Sequence, residues 1–178
     1  SRGKFAGVLY EVPEFTTSVV PSVIMLRGDG SEVDAQKVTG IAVGRAAEAL
    51  FFLHTYHAGR GVRQYENRQG ARRGEPPVLF RYRVHYADGQ HVDVPVRWNE
   101  GVSHWLQENP EPLRFAQVAW SRPIEGDEDL STTVYSMQWN NPRPDVEIRA
   151  IDILPAPGPN AESLGAPAVI AISTAATE

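Results

Sequence analysis

The sequence predicts an all-β fold, a sandwich or barrel of short antiparallel strands. Three observations carry this. Apolar residues recur with period two through about ten segments. Gly (15) and Pro (14) are spread along the chain as turn punctuation rather than gathered in one linker. No long segment keeps a 3.6-residue apolar period, as an amphipathic helix would.

The expected strands, in order, start with Gly7–Val12, Ser22–Leu26, Gly40–Val43 and Ala49–Thr55 ("ALFFLHT"), which reads as a buried strand. Val78–Tyr86 and Gln90–Val96 follow, then Phe115–Trp120, Thr132–Trp139, Val146–Ile153 and Ala168–Ser173. Gly101–Glu108 has room for one or two helical turns, stopped by Pro110. Tyr56–Pro77 is the longest expected loop, and loops of that length are functional or mobile. There is no internal repeat, so residues 1–178 are read as one sandwich domain. Ser1-Arg2-Gly3-Lys4 shows no signal-peptide pattern and reads as the start of a module excised from a larger protein.

Arg81–Trp98, "RYRVHYADGQHVDVPVRW", tests the difference between a reactive cluster and a wet sheet face. It holds two histidines, three arginines and two aspartates. A two-residue turn would mix apolar and polar faces. A three-residue loop, Ala87-Asp88-Gly89, pairs Tyr86 with Gln90, Val84 with Val92 and Tyr82 with Val94, keeping one apolar face. His85 then faces His91, and Arg83 faces Asp93, on the solvated side.

Composition narrows the function classes. A net charge of −5 argues against binding to a phosphate backbone. No apolar run approaches the roughly 18 residues of a membrane-spanning helix. The chain has no cysteine, which excludes disulfides, thiolate catalysis and cysteine zinc sites.

Four segments, in order, resemble a known family: "VGRAAEALFFLHT" (Val43–Thr55), "YRVHYADGQHVDVPVRWNEGVSHW" (Tyr82–Trp105), "VAWSRP" (Val118–Pro123) and "VYSMQWNNPRPDVEIRAIDI" (Val134–Ile153). The chain resembles the galactose-binding-like β-sandwich domains appended to secreted bacterial polysaccharide-degrading enzymes. The resemblance implies a jelly roll of two antiparallel sheets. It also implies a secreted or cell-surface location and a non-catalytic role. That role is to bind a polysaccharide or oligosaccharide and so target a covalently linked glycoside hydrolase or lyase. Neither nucleic acid nor membrane is expected as a partner. The alternatives are a structural spacer without ligand and, behind it, a polysaccharide-active enzyme. The first turns on whether the rim carries an exposed aromatic with convergent polar groups.

His54 and His57 point to opposite faces of a strand, so joint metal ligation is poor. Ser103-His104 lacks a nucleophile elbow. Glu125, Asp127, Glu128 and Asp129 form an acidic loop without the ligand spacing of a dedicated calcium site. No cofactor is expected; a structural calcium, there or near Asp29 and Asp34, is left open. Arg27-Gly28-Asp29 reads as a turn rather than an adhesion signal. Trp105, Trp120 and Trp139 read as core. Trp98, at a strand end, is the expected sugar-stacking platform, with Asn99, His57, Arg60, Tyr65 and Arg122 as polar neighbours at the same loop end.

Overall fold

A computed structural model describes residues 2–11, 23–29, 32–68 and 74–175. Val12 and Ser22, at the ends of two expected strands, and Arg72 and Arg73 of the long connection lie outside them. Among the described residues 58 % are in strands and 8 % in helices, which makes the fold all-β as expected. In chain order the strands begin with β1 (Arg2–Phe5), β2 (Val8–Glu11), β3 (Ile24–Met25), β4 (Val38–Arg45) and β5 (Ala49–Ala58). Helix α1 (Arg60–Arg68) precedes β6 (Val78–Tyr86), β7 (His91–Arg97), β8 (Leu106–Gln107), β9 (Ala116–Ile124) and β10 (Asp127–Asn140). Strand β11 (Ile148–Pro155), the short α2 (Ala161–Leu164) and β12 (Gly165–Ala175) complete the chain.

Two antiparallel sheets face each other. One runs β4-β11-β6-β7; the other runs β3-β12-β5-β10, with β9 on the far side of β10. Their inner faces share one apolar cluster, drawn from alternate residues of each strand: Leu50, Phe52 and Tyr56 from one sheet, Phe80, Tyr82, Val84, Ile151 and Ile153 from the other. The Phe52 and Tyr82 rings stack across the interface at 3.8 Å. These large side chains, each burying on the order of 150–250 Å², dominate the core.

His54 is the polar exception in this core and is fully buried. Its Nε2–H donates to the Gly101 carbonyl at 3.0 Å, and its Nδ1 accepts from the Tyr82 hydroxyl at 2.8 Å. Both ring nitrogens are thus satisfied in the neutral imidazole, the form that burial favours.

The β6–β7 hairpin has the register derived above: Val84 opposite Val92, Tyr82 opposite Val94, Arg83 opposite Asp93 and His85 opposite His91. Gly89, with φ +85°, supplies the left-handed residue of the three-residue loop. The "YADG" and "WNNPRP" motifs meet in space. Asn141 accepts from the Tyr86 hydroxyl (2.6 Å) and donates to the carbonyls of Ala47 (2.7 Å) and Arg143 (3.1 Å). The Arg143 guanidinium lies over the Tyr86 ring at 4.6 Å and pairs with Asp88. These motif residues clamp the hairpin of one sheet to the exit of β10 in the other.

Three features depart from the sequence reading. The expected loop 56–77 contains α1, whose only buried residue is Val62. The expected helical turns at Gly101–Glu108 are instead a turn leading into β8. That segment wedges between the diverging ends of β5 and β10: Trp105 N–H donates to Tyr56 O (2.8 Å), and Thr133 N–H donates to Trp105 O (2.7 Å). The β1–β2 hairpin, of which only β2 was expected, lies on the outer face of the larger sheet. There the Tyr10 hydroxyl meets Ser136 Oγ at 2.6 Å, and Ser173 Oγ–H donates to Leu9 O. Burial pushes the Tyr10 phenol up to about 12.

The Arg27–Asp29 tripeptide is a structural turn. A Cβ on Gly28 would run into the Gly165 carbonyl, and Asp29 Oδ2 accepts from the Arg60 backbone N–H at 2.9 Å.

Candidate functional site

The loop-end residues are only partly brought together. Trp98 is 4 % exposed, so its indole cannot serve as a stacking platform, which corrects the sequence expectation. Its Nε1–H donates to Glu66 Oε1 at 3.0 Å, and its ring meets Tyr56 edge-on at 6.4 Å. Trp98 therefore anchors α1 to the sandwich. The cause is local: Trp98 bridges to Val102, and this turn folds the indole inward under the helix. Asn99 holds the left-handed conformation of that turn, φ 54°, and its Oδ1 accepts from Ser103 Oγ at 2.7 Å. Arg60 Nε is occupied by Asp29 at 3.2 Å, and the Tyr65 hydroxyl donates to Gly74 O at 3.3 Å. Both lie on α1, which also carries Glu66. His57 sits on β5 with its ring 5.5 Å from His104. Arg122 lies apart, on β9 opposite Thr132, with β10 between it and β5.

Ser103 and His104 form no nucleophile–base pair. Ser103 Oγ is held between Asn99 and Gln107, while His104 Nδ1 accepts the Ala58 backbone N–H at 3.1 Å. Burial, with the adjacent His57 second, lowers the His104 pKa. Glu125, Asp127, Glu128 and Asp129 occupy the exposed tip of the β9–β10 hairpin. Among the described residues no group of three or more His, Asp or Glu side chains is placed to hold a metal ion.

The exposed aromatics lie elsewhere. Trp105 is 37 % exposed and Trp120 42 %, so neither is core; Trp139 is half-buried. A register shift between Val134 and Tyr135 explains Trp120. Val118 pairs with Tyr135 and faces inward, Ala119 is the extra residue, and Trp120 emerges on the outer face opposite Val134.

Phe115, 48 % exposed, stands between two grooves. The first, about 290 Å³, runs between the β1–β2 hairpin and the outer face of the larger sheet; Phe51, Gln117, Ser136, Gln138, Asn140 and Arg114 line it. Period-two alternation explains its chemistry. Ser136, Gln138 and Asn140 are successive outward positions of β10, Gln117 lies opposite Ser136, and Phe51 opposite Gln138. The second groove, about 200 Å³, opens between the sheets beside Val94, Arg97, Glu100, Met137 and Trp139. Phe115 is fixed by its backbone: N–H to Glu100 O (2.9 Å) and carbonyl from Gln138 N–H (3.2 Å). The Arg114 guanidinium covers one side of the ring at 4.8 Å and reaches Glu100 at 3.3 Å. The Gln138 amide donates to Asn140 Oδ1 at 2.8 Å.

The sequence signal for this site was present. Phe115 and Gln117 are the outward positions of "FAQVAW", preceding the bulge that inverts the rest of the strand.

No protein-family model matches the chain, and no curated protein is significantly similar to it. No helix among the described residues is long and apolar enough to cross a membrane.

Proposed function

We propose that this chain is a non-catalytic carbohydrate-binding module, a jelly roll of galactose-binding-like type, carried by a secreted or cell-surface polysaccharide-active enzyme. The supporting observation is Phe115: an exposed ring bordered by the amides of Gln117, Gln138 and Asn140. A sugar offers an apolar C–H face for the ring and hydroxyls that both donate and accept, which suits primary amides. Arg97 and Arg114 at the margins add donors. Binding at such a shallow, open site is weak. Tethering makes weak binding useful, because it raises the effective concentration of the linked catalytic domain on its polymer.

A glycan array probed with the wild-type domain and with Phe115→Ala tests this. The expected result is retention of one polysaccharide class by the wild type and an affinity loss of about 1–3 kcal/mol in the variant, as for other ring-stacking contacts. An equal signal from both proteins rejects the Phe115 site. A second reading, an interdomain packing module without ligand, is favoured by the exposure of Trp105 and Trp120. It takes first place if the wild type retains no glycan.

A further inference from the structure

The geometry points to a dihistidine site for a borderline transition-metal ion, Zn²⁺ or Ni²⁺, on the outer face of the smaller sheet, formed by His85 and His91. The two residues are direct cross-strand partners. Tyr86 N–H donates to Gln90 O at 2.9 Å, so alternation along the ladder makes His85–His91 the next, non-hydrogen-bonded pair, the kind whose side chains lie closer. Their ring centroids are 5.9 Å apart. With metal–nitrogen bonds of about 2.0–2.1 Å, two imidazoles on one ion have centroids about 5.2 Å apart at a tetrahedral angle and about 6.4 Å apart at most. The observed separation lies inside that span.

The hydrogen bonding selects the tautomer a metal needs. His85 Nε2–H donates to Asp152 Oδ2 at 2.7 Å, which leaves the lone pair of Nδ1 for a ligand bond. Asp152 is itself held, because its Oδ1 accepts from the Gly40 N–H at 2.8 Å. A carboxylate orienting the far nitrogen of a histidine is the usual outer shell of a metal-bound imidazole. Asp152 has this positioning role and is not a ligand. Asp93, the neighbouring acid, is taken by Arg83 at 2.7 Å and 3.0 Å. Two imidazoles therefore form the protein's share, and water completes the shell. Binding exchanges two metal-bound waters for two imidazole nitrogens.

The other histidine pair is a built-in control. His57 and His104 are closer, 5.5 Å between ring centroids, but His104 Nδ1 is occupied by the Ala58 N–H. The hydrogen of that imidazole therefore sits on Nε2, where a metal would have to bind.

The test is isothermal titration of the whole chain with ZnCl₂ and with NiCl₂, in wild type, His85→Ala, His91→Ala, Asp152→Asn and His57→Ala, with circular dichroism confirming the fold of each. The wild type should take up one equivalent. Either His85→Ala or His91→Ala should abolish saturable binding, Asp152→Asn should weaken it about tenfold or more, and His57→Ala should leave it unchanged. His91→Gln replaces His91→Ala if the latter misfolds. Lack of saturable binding of either metal by the wild type overturns the assignment, as does binding that survives His91 replacement or vanishes with His57→Ala.

Discussion

Lowering the pH from 7.5 to 4.5 should destabilise this protein through His54. The imidazole is fully buried, between the Tyr82 hydroxyl and the Gly101 carbonyl. Burial pushes its pKa down to about 4 from 6.5, and the bond to Gly101 only partly opposes that. The folded-state value lies below the unfolded one, so the unfolded chain binds the extra proton as pH falls. The neutral-histidine contribution is therefore complete above about pH 6.5, is lost progressively from there to about pH 4, and falls no further below that. At pH 4.5 the loss is about 2–3 kcal/mol, at roughly 1.4 kcal/mol per pKa unit. Against a total stability of roughly 5–15 kcal/mol this is a large fraction. His104, whose pKa is also lowered by burial, adds in the same direction. The carboxylates with depressed pKa values, Asp29, Asp88, Asp93 and Asp152, act in the same sense but lower, as pH falls below their usual value of 3.8. Urea unfolding followed by tryptophan fluorescence at the two pH values isolates the histidine window. With a slope of about 2 kcal/mol per molar urea, the His54 share moves the midpoint by about 1 M. His54→Gln keeps a donor and an acceptor but cannot titrate, so its midpoint should fall by about 1 M less than the wild type's over the same interval. Equal falls in both proteins would refute the reasoning.

Two further predictions concern the motifs. Asn141→Ala should cost about 2–4 kcal/mol in equilibrium unfolding, because it leaves the Tyr86 hydroxyl and the Ala47 carbonyl unpaired at the sheet junction; a loss under about 0.5 kcal/mol would mean the clamp is dispensable. The double change Arg83→Ala with Asp93→Ala should cost under about 1 kcal/mol, since the pair lies on a solvated sheet face. A loss of several kcal/mol would mark that face as a covered surface.

The hairpin was legible in the sequence because two constraints agree there. Asp88-Gly89 fixes the turn, and only one register keeps Tyr82, Val84 and Tyr86 on the face of Val92 and Val94. The same alternation separated His54 from His57 on opposite faces of β5, which argued against a shared metal. Helix α1 escaped notice because just one of its residues, Val62, is buried, too few to make a period. Trp120 was misplaced by a bulge, a one-residue insertion that inverts every later side chain and leaves no compositional trace. Trp98 was misplaced because a strand end gives no direction; its partner, Glu66, is 32 residues away in a segment read as loop. The groove beside Phe115 depends on contacts more distant still, with Tyr10 and Ser136 separated by 126 residues.

The central claim is that an oligosaccharide is held against Phe115 on the outer face of the larger sheet. Amide and side-chain NMR shifts, recorded while titrating ¹⁵N-labelled protein with an oligosaccharide drawn from the class retained on the glycan array, test it most directly. The account predicts perturbations concentrated at Phe115, Gln117, Gln138 and Asn140, with Trp98 Nε1–H unmoved. Perturbations confined to Arg81, Arg83 and His85, or centred on the Trp98 indole, would contradict it.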